Sequence, residues 1–359
     1  MAIKKILTVL LPILCSLLLT IIARKYTSKN RSKQLDNTSK LEIEEHNVRK
    51  GVDYGARRKI ASRGLSFYVM GDIPYSEREY SQLKDQMRDL SSSGSFIVHV
   101  GDMQKPQNTD CEYEAYKRVR DILYDNSDIP VMLLPGDNDY LDCERPRHAR
   151  AVWLKHFSSF EKNWAPLPFR VEKKEDVFYD YWDDDAGDDD LGVSEDFFDD
   201  EDFEDDDYGV QFWKNARNWQ VDFDSEYFTF VYKEVIFIGI NLQGGSGQSG
   251  IFSQMIDWTE RSLLKHEDDY DAIVIFGHAG ADHVRDGYFD KFKRFHDDSD
   301  FREIPMLYIH GNGHEYDFYK PFGRDNMAAL QVDQGKNAPP LKVTVDFDRD
   351  YPFRFDRRK

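Results

Sequence analysis

The chain has 359 residues, 40% of them hydrophobic and 14% aromatic, which suffices for one large core with extensions and excludes a wholly disordered chain. Its formal charge of −19 is local: 16 of the 25 residues from Asp183 to Asp207 are acidic and none is basic, leaving −3 for the rest. That distribution excludes a uniformly acidic surface, and nothing outside the tract indicates nucleic acid as a partner.

Met1-Ala2-Ile3-Lys4-Lys5 leads into an apolar run from Ile6 to Ala23, closed by Arg24-Lys25. At about 1.5 Å per residue the run nearly spans a bilayer core of about 30 Å, so residues 1–25 read as a signal anchor, with a cleaved signal peptide or a buried soluble helix as alternatives. The basic residues after the run place the body in the cytosol by the positive-inside rule. Two glycosylation sequons, Asn30-Arg31-Ser32 and Asn37-Thr38-Ser39, weigh the other way, towards a luminal or extracellular body. Residues 26–63 are polar without periodicity and read as a stalk.

A folded domain is expected over residues 64–359. Five short apolar runs within it end at a glycine followed by an acid or a histidine. They are Phe67 to Met70 before Gly71-Asp72, Phe96 to Val100 before Gly101-Asp102, and Val131 to Pro135 before Gly136-Asp137-Asn138-Asp139. The others are Ile273 to Phe276 before Gly277-His278, and Met306 to His310 before Gly311-Asn312-Gly313-His314. Such runs predict buried strands, with crossover helices over 80–90 and 113–124, a hairpin of strands 227–232 and 235–242, and a helix over 252–266. Ligands bind beyond the carboxyl ends of strands in layered α/β proteins, so these acids and imidazoles can converge on one metal site. Asn241 reads as a turn residue after the second hairpin strand.

Residues 170–215 form an insertion in which the acidic runs are interleaved with aromatics. A solvated loop is the plain expectation, with calcium capture or docking on a basic partner as functional alternatives. With Cys15 in the apolar run, Cys111 and Cys143 remain either as a disulfide of a secretory protein or as two buried thiols of a cytosolic one.

The segments, in this order and each after a strand, resemble the calcineurin-like metallophosphoesterase superfamily, whose motifs run D-x-H, G-D, G-N-H-D/E, a lone His and G-H-x-H. Gly136-Asp137-Asn138-Asp139 with Asp142-Cys143, and His310-Gly311-Asn312-Gly313-His314, resemble a divergent branch with G-D-N-D/E, D-C and H-G-x-x-H. The resemblance implies an α/β fold, a β-sandwich flanked by helices in four α/β/β/α layers. It implies two divalent metal ions, Mn, Fe or Zn, held by Asp72, Asp102, Asp137, His278, Asn312 and His314, and a phosphate-ester substrate attacked by metal-activated water. Asn138, or Asp139 if the motif is shifted by one, falls where the family has its leaving-group histidine. Pro74 stands where the family has a metal-binding histidine. The branch pattern also implies a Cys111–Cys143 pair. His99 and His310, beside motif glycines, read as core residues or as groups that orient a ligand. The altered positions leave a metal-binding module without turnover, or an acidic calcium-associated surface protein, as alternative functions.

Overall fold

The computed structural model describes residues 64–90, 94–105, 111, 113–173, 226–244, 252–281, 285–298 and 300–359. The expected anchor, the stalk and residues 174–215 of the insertion lie outside the described residues. Among the described residues no helix is long and apolar enough to cross a membrane.

Strand β1 (Leu65–Met70) is buried throughout because its two faces serve two cores: Phe67 and Val69 point to one, Tyr68 and Met70 to the other. It pairs in parallel with β2 (Ile97–His99), which pairs in parallel with β3 (Val131–Leu133). Two C-terminal strands complete this sheet in antiparallel fashion, β10 (Leu341–Val345) against β1 and β11 (Phe353–Asp356) against β10. The order is β11-β10-β1-β2-β3.

The second sheet begins with the expected hairpin, β4 (Phe228–Tyr232) and β5 (Val235–Gly239), closed at Lys233-Glu234, both at positive φ. Parallel strands β6 (Ala272–Phe276), β7 (Met306–His310) and β9 (Met327–Gln331) follow, with β8 (Asp317–Tyr319) antiparallel at the edge. Its order is β4-β5-β6-β7-β9-β8.

Three apolar clusters record the layering. Phe67, Phe96, Phe237, Phe276, Leu307 and Val343 fill the space between the sheets. On the outer face of the first sheet, Tyr68 and Ile97 meet Leu83 and Met87 of α1 (Glu77–Arg88), Tyr116 and Val119 of α2 (Tyr113–Asn126), and Trp153 of α4 (Pro146–Phe157). On the outer face of the second, Ile273 and Ile275 meet Trp258 of α5 (Phe252–Lys265) and Phe292 of α6 (Asp290–Asp298). The fold is thus mixed α/β, two sheets flanked by helices. Helix α1 starts and ends earlier than the expected 80–90; at its start Glu79 closes the first turn by accepting from the Tyr75 backbone N–H and the Ser76 hydroxyl.

Candidate metal centre

Each expected site residue lies just past a strand's carboxyl end: Asp72 after β1, Asp102 after β2, Asp137 to Asp139 in the short helix α3 (Asp137–Tyr140) after β3, His278 after β6, and Asn312 and His314 after β7. The sheets meet there. Within the first sheet the Asp72 backbone N–H donates to the Gly101 carbonyl at 3.0 Å, and His278 Nδ1, from the second sheet, binds the Val100 carbonyl of the first at 2.7 Å, tying the two sheets together. Asp72, Asp102, Asn312 and His314 all adopt positive φ, which costs a non-glycine residue on the order of 1 kcal/mol and turns the chain sharply at each strand end. Two glycines are required by close approach. A Cβ at Gly136 would stand 2.1 Å from Asp102 Oδ1, and one at Gly311 would stand 2.6 Å from Asp72 Oδ2.

Asp72, Asp102 and His278 are buried, and one ligand atom from each lies within 4.8 Å of the others, a grouping that could hold a metal ion. His278 Nε2 lies 3.3 Å from Asp102 Oδ1 and 3.3 Å from Asp137 Oδ1. The half-exposed His314 places Nε2 3.2 Å from Asp72 Oδ1.

The electrostatics of the cluster are those of a site built for positive charge. Burial holds Asp102 well above the usual carboxylate range, reinforced by the charges of Asp72, Asp139 and Asp137 and opposed by His278. Burial also works against the charged form of His278, but Asp102, Asp72 and Asp137 overcome it and push the imidazole well up. For Asp137 burial acts upward, yet the close approach and charge of His278 bring it below its usual value. His314 is raised chiefly by its hydrogen bond to Asp72. Two carboxylates about 4 Å apart repel by about 4 kcal/mol at an effective dielectric near 20, so three acids around one buried imidazole are costly without a cation. The donor set fits a metal. With Nδ1 committed to Val100, His278 turns its buried Nε2 towards the acids, 3.3 Å from Asp102 and Asp137 but with no aligned hydrogen bond to either.

Other expected members play different parts. Asp139 is fully buried, and its carboxylate accepts the backbone N–H groups of Gly136 at 2.7 Å, Met103 at 2.8 Å and Asp102 at 2.9 Å. Its oxygens serve the loops that carry Asp102 and Asp137, and burial raises it to about 6 against those same hydrogen bonds. Asn312 was expected as a side-chain ligand, but the contact the structure shows is its backbone N–H, 3.2 Å from both oxygens of Asp72. Asn138 does belong to the cluster: its backbone N–H reaches Asp102 Oδ1 at 3.1 Å, and its amide donates to Asp102 Oδ2. His99 and His310 are both buried. His99 spans the Ile73 carbonyl at 3.1 Å and the Gly101 N–H at 3.3 Å, and burial lowers it to about 4. His310 spans the Gly311 carbonyl at 2.9 Å and the Tyr319 hydroxyl at 3.0 Å. Both hold loops that carry site residues.

Two features escape sequence reasoning. The Tyr75 hydroxyl donates to Asp102 Oδ2 at 2.7 Å and lies 3.3 Å from Asp72 Oδ1. Behind α3, buried Glu226 takes a two-pronged bond from Arg150 at 2.6 and 2.9 Å and accepts from Tyr140 at 3.0 Å, while Asn241, expected as a turn residue, donates to Tyr140 at 2.8 Å. A Cys111–Cys143 disulfide, Cα atoms 5.8 Å apart, braces the same helix from the other side, where Gln104 and Tyr116 bind the carbonyls of Asn138 and Asp139.

No protein-family model and no curated protein matches the chain. Among solved structures it is similar to GAP50, the anchor in the inner membrane complex of Plasmodium, at 11% identity and a TM-score of 0.42, covering 82% of this chain and 88% of that one. It is similar to a 5'-nucleotidase from Candida albicans at 14% identity and a TM-score of 0.43, covering 81% of this chain and half (50%) of that one. TT1561 of Thermus thermophilus is 8% identical with a TM-score of 0.37, over 82% of this chain and 99% of its own.

Proposed function

We propose that the chain is a metal-dependent phosphoric ester hydrolase of the calcineurin-like type, with a dinuclear site at the strand ends. The observation that carries this reading is the buried Asp72, Asp102 and His278 grouping, with Asp137 and His314 beside it and the buried Nε2 of His278 at its centre, 3.3 Å from both Asp102 and Asp137. Asp72 and His314 would hold one cation, Asp137 and His278 the other, and Asp102 both. Oxygen and imidazole donors without cysteine suit Mn, Fe or Zn. Bound cations supply the charge that polarises a phosphoryl group and acidifies the attacking water.

The chain's own groups do the rest. Val100 fixes the tautomer of His278, Asn312 and His314 orient Asp72, and Asp139 sets the backbone that presents Asp102 and Asp137. Pro74 and Asn138, where the resemblance calls for histidines, supply no imidazole. Asn138 favours a second reading, a metal-binding module without turnover, because an amide cannot pass a proton to a leaving group. The disulfide supports an oxidising compartment for the folded body.

Hydrolysis of an aryl phosphate and an aryl phosphodiester with added Mn²⁺ separates the readings. Wild type turns over at least one and Asp102→Ala neither, if the chain is an enzyme. Equal inactivity of both proteins across metals and substrates leaves the binding module.

A further inference from the structure

Tyr75 is absent from the ligand set above, yet its hydroxyl sits among that set. The residue follows Asp72 by three positions, and its backbone N–H is tied to Glu79 Oε2 at 2.7 Å, so the ring is anchored on the first turn of α1. The ring stands edge-on to the His314 imidazole with centroids 6.0 Å apart. The hydroxyl meets Asp102 Oδ2 at 2.7 Å, Asp72 Oδ1 at 3.3 Å and the Asn138 amide nitrogen at 3.4 Å. Both of its acceptors are carboxylates of the candidate site, and the residue keeps part of its surface exposed.

Asp102 Oδ2 therefore carries two neutral donors, Tyr75 and Asn138, side by side. A cation engaged by that carboxylate competes with both for the oxygen's lone pairs. Donors near a buried site that lose an acceptor cost free energy until another takes its place. The acceptor at hand in a phosphoesterase site is the substrate's own phosphoryl oxygen.

We propose that Tyr75 and Asn138 form a donor pair that grips a non-bridging oxygen of the bound phosphoryl group, making Tyr75 a substrate-contacting catalytic residue. The inference rests on the phosphoesterase reading and adds to it a residue and a mode of anion recognition. A phenol hydroxyl is a donor at neutral pH, and here it already donates to carboxylates of the site. Neutral donors suit this place: they hold a phosphoryl anion without competing with the acids for cations, as a lysine or arginine would.

The test uses the full chain loaded with Mn²⁺, as wild type, Tyr75→Phe, Asn138→Ala and the double variant. Three quantities are read: manganese content, affinity for inorganic phosphate by titration calorimetry, and kcat and KM on an aryl phosphate. Tyr75→Phe is expected to keep wild-type manganese while binding phosphate roughly ten- to a hundredfold more weakly, the range for one hydrogen bond to a charged acceptor. Asn138→Ala is expected to act in the same direction, and the double variant to lose less than the product of the two, since the pair shares one acceptor. Unchanged phosphate affinity in Tyr75→Phe overturns the proposal. Loss of manganese with the hydroxyl also overturns it, because Tyr75 would then hold the metal. Wild type that binds neither manganese nor phosphate removes the phosphoesterase reading itself, and this proposal with it.

Discussion

The imidazole of His278, from the end of β6, reaches Asp102, from the end of β2, with Nε2 3.3 Å from Oδ1. The pair joins the two sheets at the place where their strand ends carry the most negative charge. Folding holds the Asp102 carboxyl well above its usual range, chiefly through burial, so its charged form destabilises the metal-free protein. Asp102→Asn, which removes that charge but turns an NH2 towards a donor of Asn138 or Tyr75, is expected to abolish stabilisation by Mn²⁺. Urea unfolding with and without Mn²⁺ reads the change. Equal metal stabilisation of the two proteins counts against the site.

Asp139 separates positioning from catalysis. Asp139→Ala leaves three buried N–H groups without their acceptor and is expected to cost about 3–5 kcal/mol in denaturant unfolding. Asp139→Asn keeps one oxygen and is expected to cost less, with metal binding weakened in step with stability. An Asp139→Asn protein of wild-type stability that has lost all turnover would restore the acid to a direct chemical role.

The Cys111–Cys143 disulfide spans 32 positions and brackets the loop and helix that lead to α3. Replacing both cysteines by alanine is expected to cost roughly 2–5 kcal/mol, and to lower metal affinity because α3 carries Asp137 and Asn138. Unfolding and Mn²⁺ titration of the double variant test the two effects separately. Unaltered stability would show that Gln104, Tyr116 and Glu226 hold the helix without the bridge.

His156 gives a pH dependence remote from the metal centre. Burial lowers it to about 4 from 6.5, helped by the charges of Arg120 and Lys155, and its ring packs against Tyr113 with centroids 4.4 Å apart. The unfolded chain therefore binds more protons between those values. The associated stability is complete above pH 6.5 and is lost progressively as the pH falls towards 4. Urea midpoints at pH 7 and pH 5 are expected to differ less in His156→Gln than in wild type. Equal differences would remove His156 as a cause of acid sensitivity.

The strand ends of the site were legible in the sequence for a physical reason. Strands buried on both faces must be continuously apolar, as in Ala272–Phe276, and the glycines after them are demanded by backbone packing, as at Gly136 against Asp102. Asp139 carried a readable signal as well, an acid three residues after the glycine that opens α3, which is the spacing of a capping box. The strand Leu341–Val345 alternates apolar and polar with matching burial, a period-2 pattern that lies beyond the last glycine motif. Tyr75 was not legible. Its placement depends on the left-handed turn at Asp72 and on an Asp102 side chain 27 positions away. Glu226 with Arg150 was equally hidden, since the partners are 76 positions apart and no local pattern links them.

The phosphoesterase reading requires that the buried acids and imidazoles at the strand ends bind metal. Elemental analysis of the purified full chain, alongside Asp102→Ala and His278→Ala, tests it most directly. About two Mn, Fe or Zn ions per wild-type chain are expected, with a loss of at least one in each variant. A wild-type protein free of metal after exposure to all three, or variants that retain the wild-type content, would contradict it.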